Sequence, residues 1–324
     1  MAIHTFELVS PTLTYKNFNQ YHSQVFNLVN SGQCRIIKLK KDVLSFQINF
    51  IRGTLWTLIA SNVPYLSIKV NPSILFGGGY TDLCNITLEA IEACAASINK
   101  ALEMLGAAMT FSELILHRID CTIDVQFSHD DAMEDFIACL QRTHHLRGYR
   151  LDSFDMSFGN FQEKNQHSFR MSCNDVTLTV YDKSYQLREE KLMNIEDIPP
   201  NRLRFEAAFQ NSAFQRLFYQ YHQCVEIDCL NQKIIWVSRM SVPILREYFE
   251  RTIAPGRYLK LRPALDLINQ SSYTPKTKDR MKDFLHEVKR CHQTGIAGAI
   301  EAFRVRGYSK KKIQNILKNS QNSI

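Results

Sequence analysis

Three stretches of this chain alternate apolar and polar residues at a period of two, and they constrain its fold more than any other feature. In LILHRIDCTIDVQF, Ile115, His117, Ile119, Cys121, Ile123, Val125 and Phe127 fall on one side, opposed by Arg118, Asp120, Thr122, Asp124 and Gln126. VTLTVYDK turns Val176, Leu178 and Val180 inward and Thr177, Thr179, Tyr181 and Lys183 outward. RLRFEAAF opposes Leu203, Phe205, Ala207 and Phe209 to Arg202, Arg204 and Glu206. Successive side chains point to opposite faces only in a pleated strand, so each stretch is a half-buried strand with a polar side. Two more strands are expected at 44–50, with Phe50 among the buried set, and at 66–70. A helix capped by Thr81 or Asp82 and closed by Gly106 follows them, and another runs from about Asp130 to Leu140. This order predicts an α+β domain: an antiparallel sheet with helices on one face and the other face open.

Beyond residue 211 the pattern turns helical, with helices expected near 211–225, 238–250, 276–292 and 296–318. Pro255 and Gly256 punctuate it, dividing the chain into 1–254 and a helical, basic 255–324. With 324 residues and 45% apolar content, the chain can bury a core without disulfides or structural metals. Its nine Cys are scattered and never form Cys-x-x-Cys, which reads as reduced thiols, mostly buried. The uncharged run Gly53–Ile68 is short for a bilayer span and contains Pro64. The N-terminal residues do not read as a secretory leader, so a cytoplasmic protein with no membrane partner is expected. No internal repeat is legible. Gly77-Gly78-Gly79 lacks the following Lys and Ser/Thr of a nucleotide-phosphate loop, so no helicase activity is expected.

Charge is unevenly placed. The net charge is +7, yet residues 256–324 hold 15 Lys plus Arg against 5 Asp plus Glu, leaving the first 255 residues slightly acidic. A basic terminal fifth points to a polyanion partner, because Lys and Arg on phosphates release condensed counterions. Within it, IEAFRVRGYSKKKIQNILK reads as two amphipathic helices around Gly307 and Ser309, compatible with a helix-turn-helix. Ser309 would cap the second helix, with Arg304, Arg306, Lys310, Lys311 and Lys312 available for phosphates.

If the three polar strand faces are neighbours, Asp120, Asp124, Glu206, Tyr181 and Lys183 share one floor with Arg118, Arg202 and Arg204. Carboxylate oxygens suit Mg²⁺ or Mn²⁺, which can polarise a phosphoryl oxygen. A tyrosine beside them can be a nucleophile, provided a base, metal or cation such as Lys183 stabilises its phenolate. The plain alternative is a solvated sheet face, which alternates in the same way.

SIKVNPSILFGGG, LHRIDCTIDVQF, LTVYDKSYQL and LRFEAAF, in that order and spacing, resemble the rolling-circle replication initiators of filamentous bacteriophages and related plasmids. The likeness covers roughly residues 44–210. It implies an HUH-endonuclease-like, ferredoxin-like core that nicks and rejoins one DNA strand through a phosphotyrosine. On this likeness Tyr181 is the nucleophile and Lys183 its basic companion, while Asp120 and Glu206, and more weakly Asp124, hold Mg²⁺ or Mn²⁺. The chain has no His-hydrophobic-His metal pair, so acidic ligands would replace it. Tyr185 is the second candidate tyrosine, on the same face if the strand continues and a turn away if a helix begins. The partners implied are origin DNA, single-stranded or melted, with a helicase and polymerase of a bacterial host; Arg118, Arg202 and Arg204 would join the basic tail in holding DNA. A non-catalytic DNA-binding regulator, or a transposase or mobilisation relaxase, would fit the same residues.

Overall fold

The computed structural model describes the chain apart from residues 1, 41–42, 59–62, 80–82, 84–85, 143–147, 152–166, 192, 223–228, 253–260, 292–294 and 324. Ten strands form one antiparallel sheet: β1 (Ala2–Val9), β2 (Arg35–Lys40), β3 (Val43–Ile48), β4 (Ile51–Leu58), β5 (Val63–Val70), β6 (Ile115–Gln126), β7 (Arg150–Leu151), β8 (Ser168–Ser172), β9 (Val176–Asp182) and β10 (Arg202–Gln210). The helices α1 (Tyr15–Asn30), α2 (Pro72–Leu75), α3 (Leu88–Met104), α4 (Asp130–Arg142), α5 (Lys183–Glu189), α6 (Asn211–His222) and α7 (Leu230–Thr252) accompany the sheet. After them come α8 (Leu261–Gln270), α9 (Pro275–Arg290), α10 (Gly295–Val305) and α11 (Lys310–Ser323). The architecture is α+β with a large antiparallel sheet and a helical C-terminal region. No helix among the described residues is long and apolar enough to cross a membrane.

The apolar strand positions gather Phe6, Phe46, Phe205 and Phe209 into one core with residues of α1, α3, α4, α6 and α7. A second cluster joins Ile268, Met281, Phe284, Ala299, Phe303, Ile313 and Ile316, drawn from α8 to α11. The core is tight enough to dictate single residues. A Cβ on Gly53 would lie 2.2 Å from the Phe46 ring, so β4 has a glycine where β3 sends that ring across.

Strand order is β2-β3-β4-β5-β1-β6-β10-β9-β8-β7. It is symmetric about the β1–β6 pair. In each half a central strand is followed by a helix, then by four strands that fold back toward it, so β1 with β2–β5 and β6 with β7–β10 are two editions of one plan. This repeat exists in the architecture and not in the sequence.

Several expectations are corrected. The helix ending before Gly106 starts at Leu88, where the Thr87 hydroxyl accepts from the Ala90 N–H at 3.2 Å; Thr81 and Asp82 lie outside the described residues. Strand β3 stops at Ile48, Asn49 turns with φ +52°, and Phe50 is exposed. In β6 a register shift at His117 re-phases the strand start, so Leu116 is buried and Ile115 exposed. The seven described cysteines are free thiols: Cys34, Cys94 and Cys121 are buried, Cys229 is exposed and the other three lie between. The 254/255 boundary falls outside the described residues.

Candidate active site

Register assembles the polar face row by row. Arg204 stands between Asp124 on β6 and Tyr181 on β9; Glu206 stands between Thr122 and Thr179; Asp120 pairs with Ala208 on one side and Thr5 of β1 on the other. Four strands thus bring together residues as far apart in sequence as Thr5 and Glu206. The face is largely closed where the alternation suggested an open one: Arg204 has 0% of its surface exposed, Asp120 2% and Lys183 3%, while Tyr181 and Glu206 are partly exposed.

Buried charges persist only when paired. The Arg204 guanidinium grips Asp124 with two bonds, Nε to Oδ1 at 2.6 Å and Nη2 to Oδ2 at 2.8 Å, and its Nη1 lies 3.5 Å from Nδ1 of His4. Arg202 adds a looser contact to Asp124 at 3.7 Å. Asp120 is held by Arg118, Nε to Oδ1 at 2.7 Å, and by the Thr5 hydroxyl, which donates to its other oxygen. Asp120 and Asp124 are therefore each committed to a guanidinium.

Glu206 has no such clamp. Burial, and then the Asp120 charge, push its carboxyl up to about 7 against the pull of Arg118, Arg204 and Lys69. It is poised to exchange a proton near neutrality. The Tyr181 phenol is pushed above its ordinary range by burial and then by Glu206; Arg204 opposes this with its charge and with a bond to the phenolic oxygen. Lys183, the first residue of α5, is brought down to about 8 by burial and then by Arg204. Its Nζ donates to Gln186 at 2.8 Å and sits 6.0 Å from the Tyr181 ring centroid. His4, at the bulge in β1, is driven down to about 3 by burial and by Arg204, Lys183 and Lys69, so it stays neutral.

The second tyrosine is elsewhere. A helix begins at Lys183, with the Asp182 side chain accepting from the Tyr185 N–H at 2.9 Å, and this turns Tyr185 off the strand face. Its ring stacks on His167 at 3.8 Å and 13°.

Among the described residues no three His, Cys, Asp or Glu side chains converge as a metal cage. The oxygen set nonetheless fits a hard cation that keeps most of its water. Asp120 and Glu206 repel each other, and beside Glu206 in its own row the Thr122 hydroxyl is fully buried with no hydrogen-bond partner. Magnesium is commonly held by one or two carboxylates plus substrate phosphate oxygens. Asp124 has both oxygens on Arg204, and Asp120 has both on Arg118 with Thr5 added, so Glu206 is the one acid of the three without a guanidinium clamp.

No protein-family model matches the chain, and no curated protein does. Among solved structures, similarity is found to the di-domain ARO/CYC BexL from the BE-7585A biosynthetic pathway. That protein is 10% identical, with 80% of this chain and 100% of that one covered, at a TM-score of 0.22. A likeness at that score carries neither fold nor function to this chain.

The remaining sequence candidates separate by exposure. Lys310, Lys311 and Lys312 are exposed on the first turn of α11, and Gly307, φ +82°, makes the turn that precedes it. The Ser309 side chain accepts from the Lys312 N–H at 3.4 Å, the expected cap. Arg304 is exposed and 3.2 Å from Glu301. Arg306 is anchored on the buried Glu287 at 2.5 Å and packs over Phe303. Arg204 cannot reach a phosphate without leaving Asp124. A cleft of about 310 Å³ lined by Tyr149, Cys173, Arg216 and Tyr248 contains none of the polar-face groups.

Sequence reasoning missed His4, Thr5 and Lys69. The available signal was Thr5 and Glu7 on one parity of the first strand, hidden by the bulge at His4.

Glu206 makes a pH prediction. A carboxyl raised in the folded protein contributes stability below its ordinary range, near 4.5, and loses it as pH rises to about 7. Glu206→Gln removes that loss. Urea unfolding should find the variant level with the parent at pH 4 and more stable by roughly 2–3 kcal/mol at pH 8. A difference that does not change between those pH values counts against a raised Glu206 carboxyl.

Proposed function

We propose that this protein nicks and rejoins one DNA strand through a phosphotyrosine, as an initiator of rolling-circle replication would. The observation that carries the reading is the cross-strand row Asp124–Arg204–Tyr181 with Glu206 beside it. In that row a phenol is aimed along a guanidinium and next to a carboxyl that titrates near neutrality. An HUH-type arrangement is part of this proposal.

Each side chain has a task. Arg204 donates to the phenolic oxygen and so stabilises the phenolate more than the phenol. Glu206, ionised above about pH 7, accepts the phenol proton. The Tyr181 oxygen then forms a bond to phosphorus while the bond from phosphorus to a sugar oxygen breaks. Lys183, protonated below about pH 8, supplies the proton that the leaving sugar oxygen takes up. The reverse sequence rejoins the strand, because one phosphodiester is exchanged for another. Asp120, with the Thr122 hydroxyl, would hold Mg²⁺ or Mn²⁺, whose contribution is to polarise the phosphoryl oxygens, while Glu206, as the base, stays free of the ion. The exposed lysines of α11 would hold flanking DNA through its phosphates.

The test is covalent capture. Labelled single-stranded oligonucleotides from a randomised pool are incubated with the protein and Mg²⁺ or Mn²⁺, then run on a denaturing gel. A shifted band whose adduct peptide contains Tyr181 is expected. Binding without any covalent band, across the pool and with either ion, leaves a non-catalytic DNA-binding protein in place of the strand transferase.

A further inference from the structure

The candidate chemistry occupies one wing of the sheet. The four strands of the other wing, β2 to β5, carry five cations, Arg35, Lys38, Lys40, Arg52 and Lys69, and no carboxylate. Register puts all five on the polar face: Arg35 lies opposite Gln47, Lys38 opposite Ser45, Lys40 opposite Val43, and Arg52 between Gln47 and Lys69. None of them is ion-paired with a described residue. Asp42, in the β2–β3 turn, lies outside the described residues.

Among these cations Trp56 lies directly across from Tyr65, with the rings stacked at 5.1 Å and 26° and both half-buried. A flat aromatic pair beside five cations, with Glu7 the carboxylate opposite Lys69, has two needs: a π-face to cover it and anions to neutralise its surroundings. A single strand of nucleic acid brings both, one base per ring face and one phosphate per residue. The duplicated plan sharpens the point. Trp56 is the sixth residue of β4 and Tyr65 the third of β5, while Tyr181 is the sixth of β9 and Arg204 the third of β10. The aromatic pair thus stands in the first half where the nucleophile and its guanidinium stand in the second. A row Arg52–Lys69–Glu7–Arg118–Gln210 crosses the face between them.

We propose that this wing is a second, non-catalytic site for single-stranded DNA, with bases stacked on Trp56 and Tyr65 and phosphates on Arg52, Lys69 and the lysines of β2. Its charge and stacking stand apart from the cleavage chemistry; the choice of DNA over RNA rests on the strand-transfer reading.

The chain has two tryptophans, and Trp236 packs among Phe214 and Phe218. Trp236→Phe therefore leaves Trp56 as the sole reporter. Titrating oligo(dT) into that protein without divalent ions should quench its fluorescence. Trp56→Ala should weaken binding by about 5- to 150-fold, the range for one lost stacking partner. Arg52→Gln and Lys69→Gln should each lower the slope of log affinity against log salt by about 0.7. Circular dichroism and thermal melting check that each variant is folded, and Trp56→Phe, which keeps a ring, should retain most of the affinity. Unquenched Trp56, or a folded Trp56→Ala, Tyr65→Ala double variant that binds as the parent does, overturns the proposal. Preference for oligo(U) over oligo(dT) overturns the assignment to DNA. Since binding is read without cleavage, a missing covalent adduct with intact quenching strikes the strand-transfer reading alone.

Discussion

Tyr181→Phe is expected to abolish the covalent protein–DNA adduct while leaving oligonucleotide binding and folding close to those of the parent. The phenyl ring fills the same space on β9, so packing is kept. Arg204 loses one acceptor but retains both bonds to Asp124, and the cost in stability should be about 1 kcal/mol. What disappears is the only oxygen on that residue able to bond to phosphorus. Tyr185 is not a ready substitute, because the helix that begins at Lys183 turns it off the strand face and its ring is stacked on His167. In the parent, adduct formation should accelerate as pH rises through about 7, where Glu206 becomes able to take the phenol proton. An adduct of undiminished yield from Tyr181→Phe, or one whose peptide maps to Tyr185, removes Tyr181 from the chemistry.

The strands that carry this site were legible because β9, β10 and β6 from Arg118 onward alternate without a break and announce both their faces. Three of the strands that escaped reading break the period, while β8 alternates but is only five residues long. In β1 the apolar residues Ile3 and Phe6 are three apart because His4 sits in a bulge; β2 has its own register shift near Ile37; and in β4 a glycine replaces the inward side chain that Phe46 would strike. A bulge or a missing side chain moves every later residue to the other parity or leaves a gap, so a period-two search loses the strand. The last three helices were readable, with Pro275 at a first turn and Gly307 and Ser309 at a junction, where local chemistry decides the backbone, whereas α8 (Leu261–Gln270) was not expected. The depth of the site was not readable. A polar alternate face looks the same in sequence whether it meets water or is buried, and only strand pairing reveals that Asp124 stands opposite Arg204. The doubled plan was invisible for a related reason: equivalent positions hold Trp56 and Tyr65 in one half and Tyr181 and Arg204 in the other.

Arg204→Met tests how much of the site depends on one buried ion pair. Methionine keeps the apolar stem of arginine and removes the guanidinium end, so the substitution deletes the charge while retaining the inner packing. It leaves Asp124, mostly buried, without its two strong bonds and with only Arg202 at 3.7 Å. Stripping one partner from a buried pair typically costs 3–5 kcal/mol, because the remaining carboxylate is desolvated and uncompensated, and a loss of about that size is expected in urea unfolding. Arg204→Met combined with Asp124→Leu should recover much of it, since the orphaned charge is then gone; additive losses in the double-mutant cycle would show that the two residues do not act as a pair. The same substitution should disarm the site. After burial, Arg204 is the next cause of the depressed Lys183, and it is one of the charges restraining Glu206 and Tyr181. Without it Lys183 returns toward the ordinary lysine range, while the phenol and the carboxyl both become harder to ionise. In the stabilised double variant, which folds but lacks the guanidinium, the adduct should therefore stay absent at pH 7 and begin to return only at higher pH. An adduct formed at the parental rate by that double variant would mean that the phenolate draws its stabilisation from some group other than Arg204.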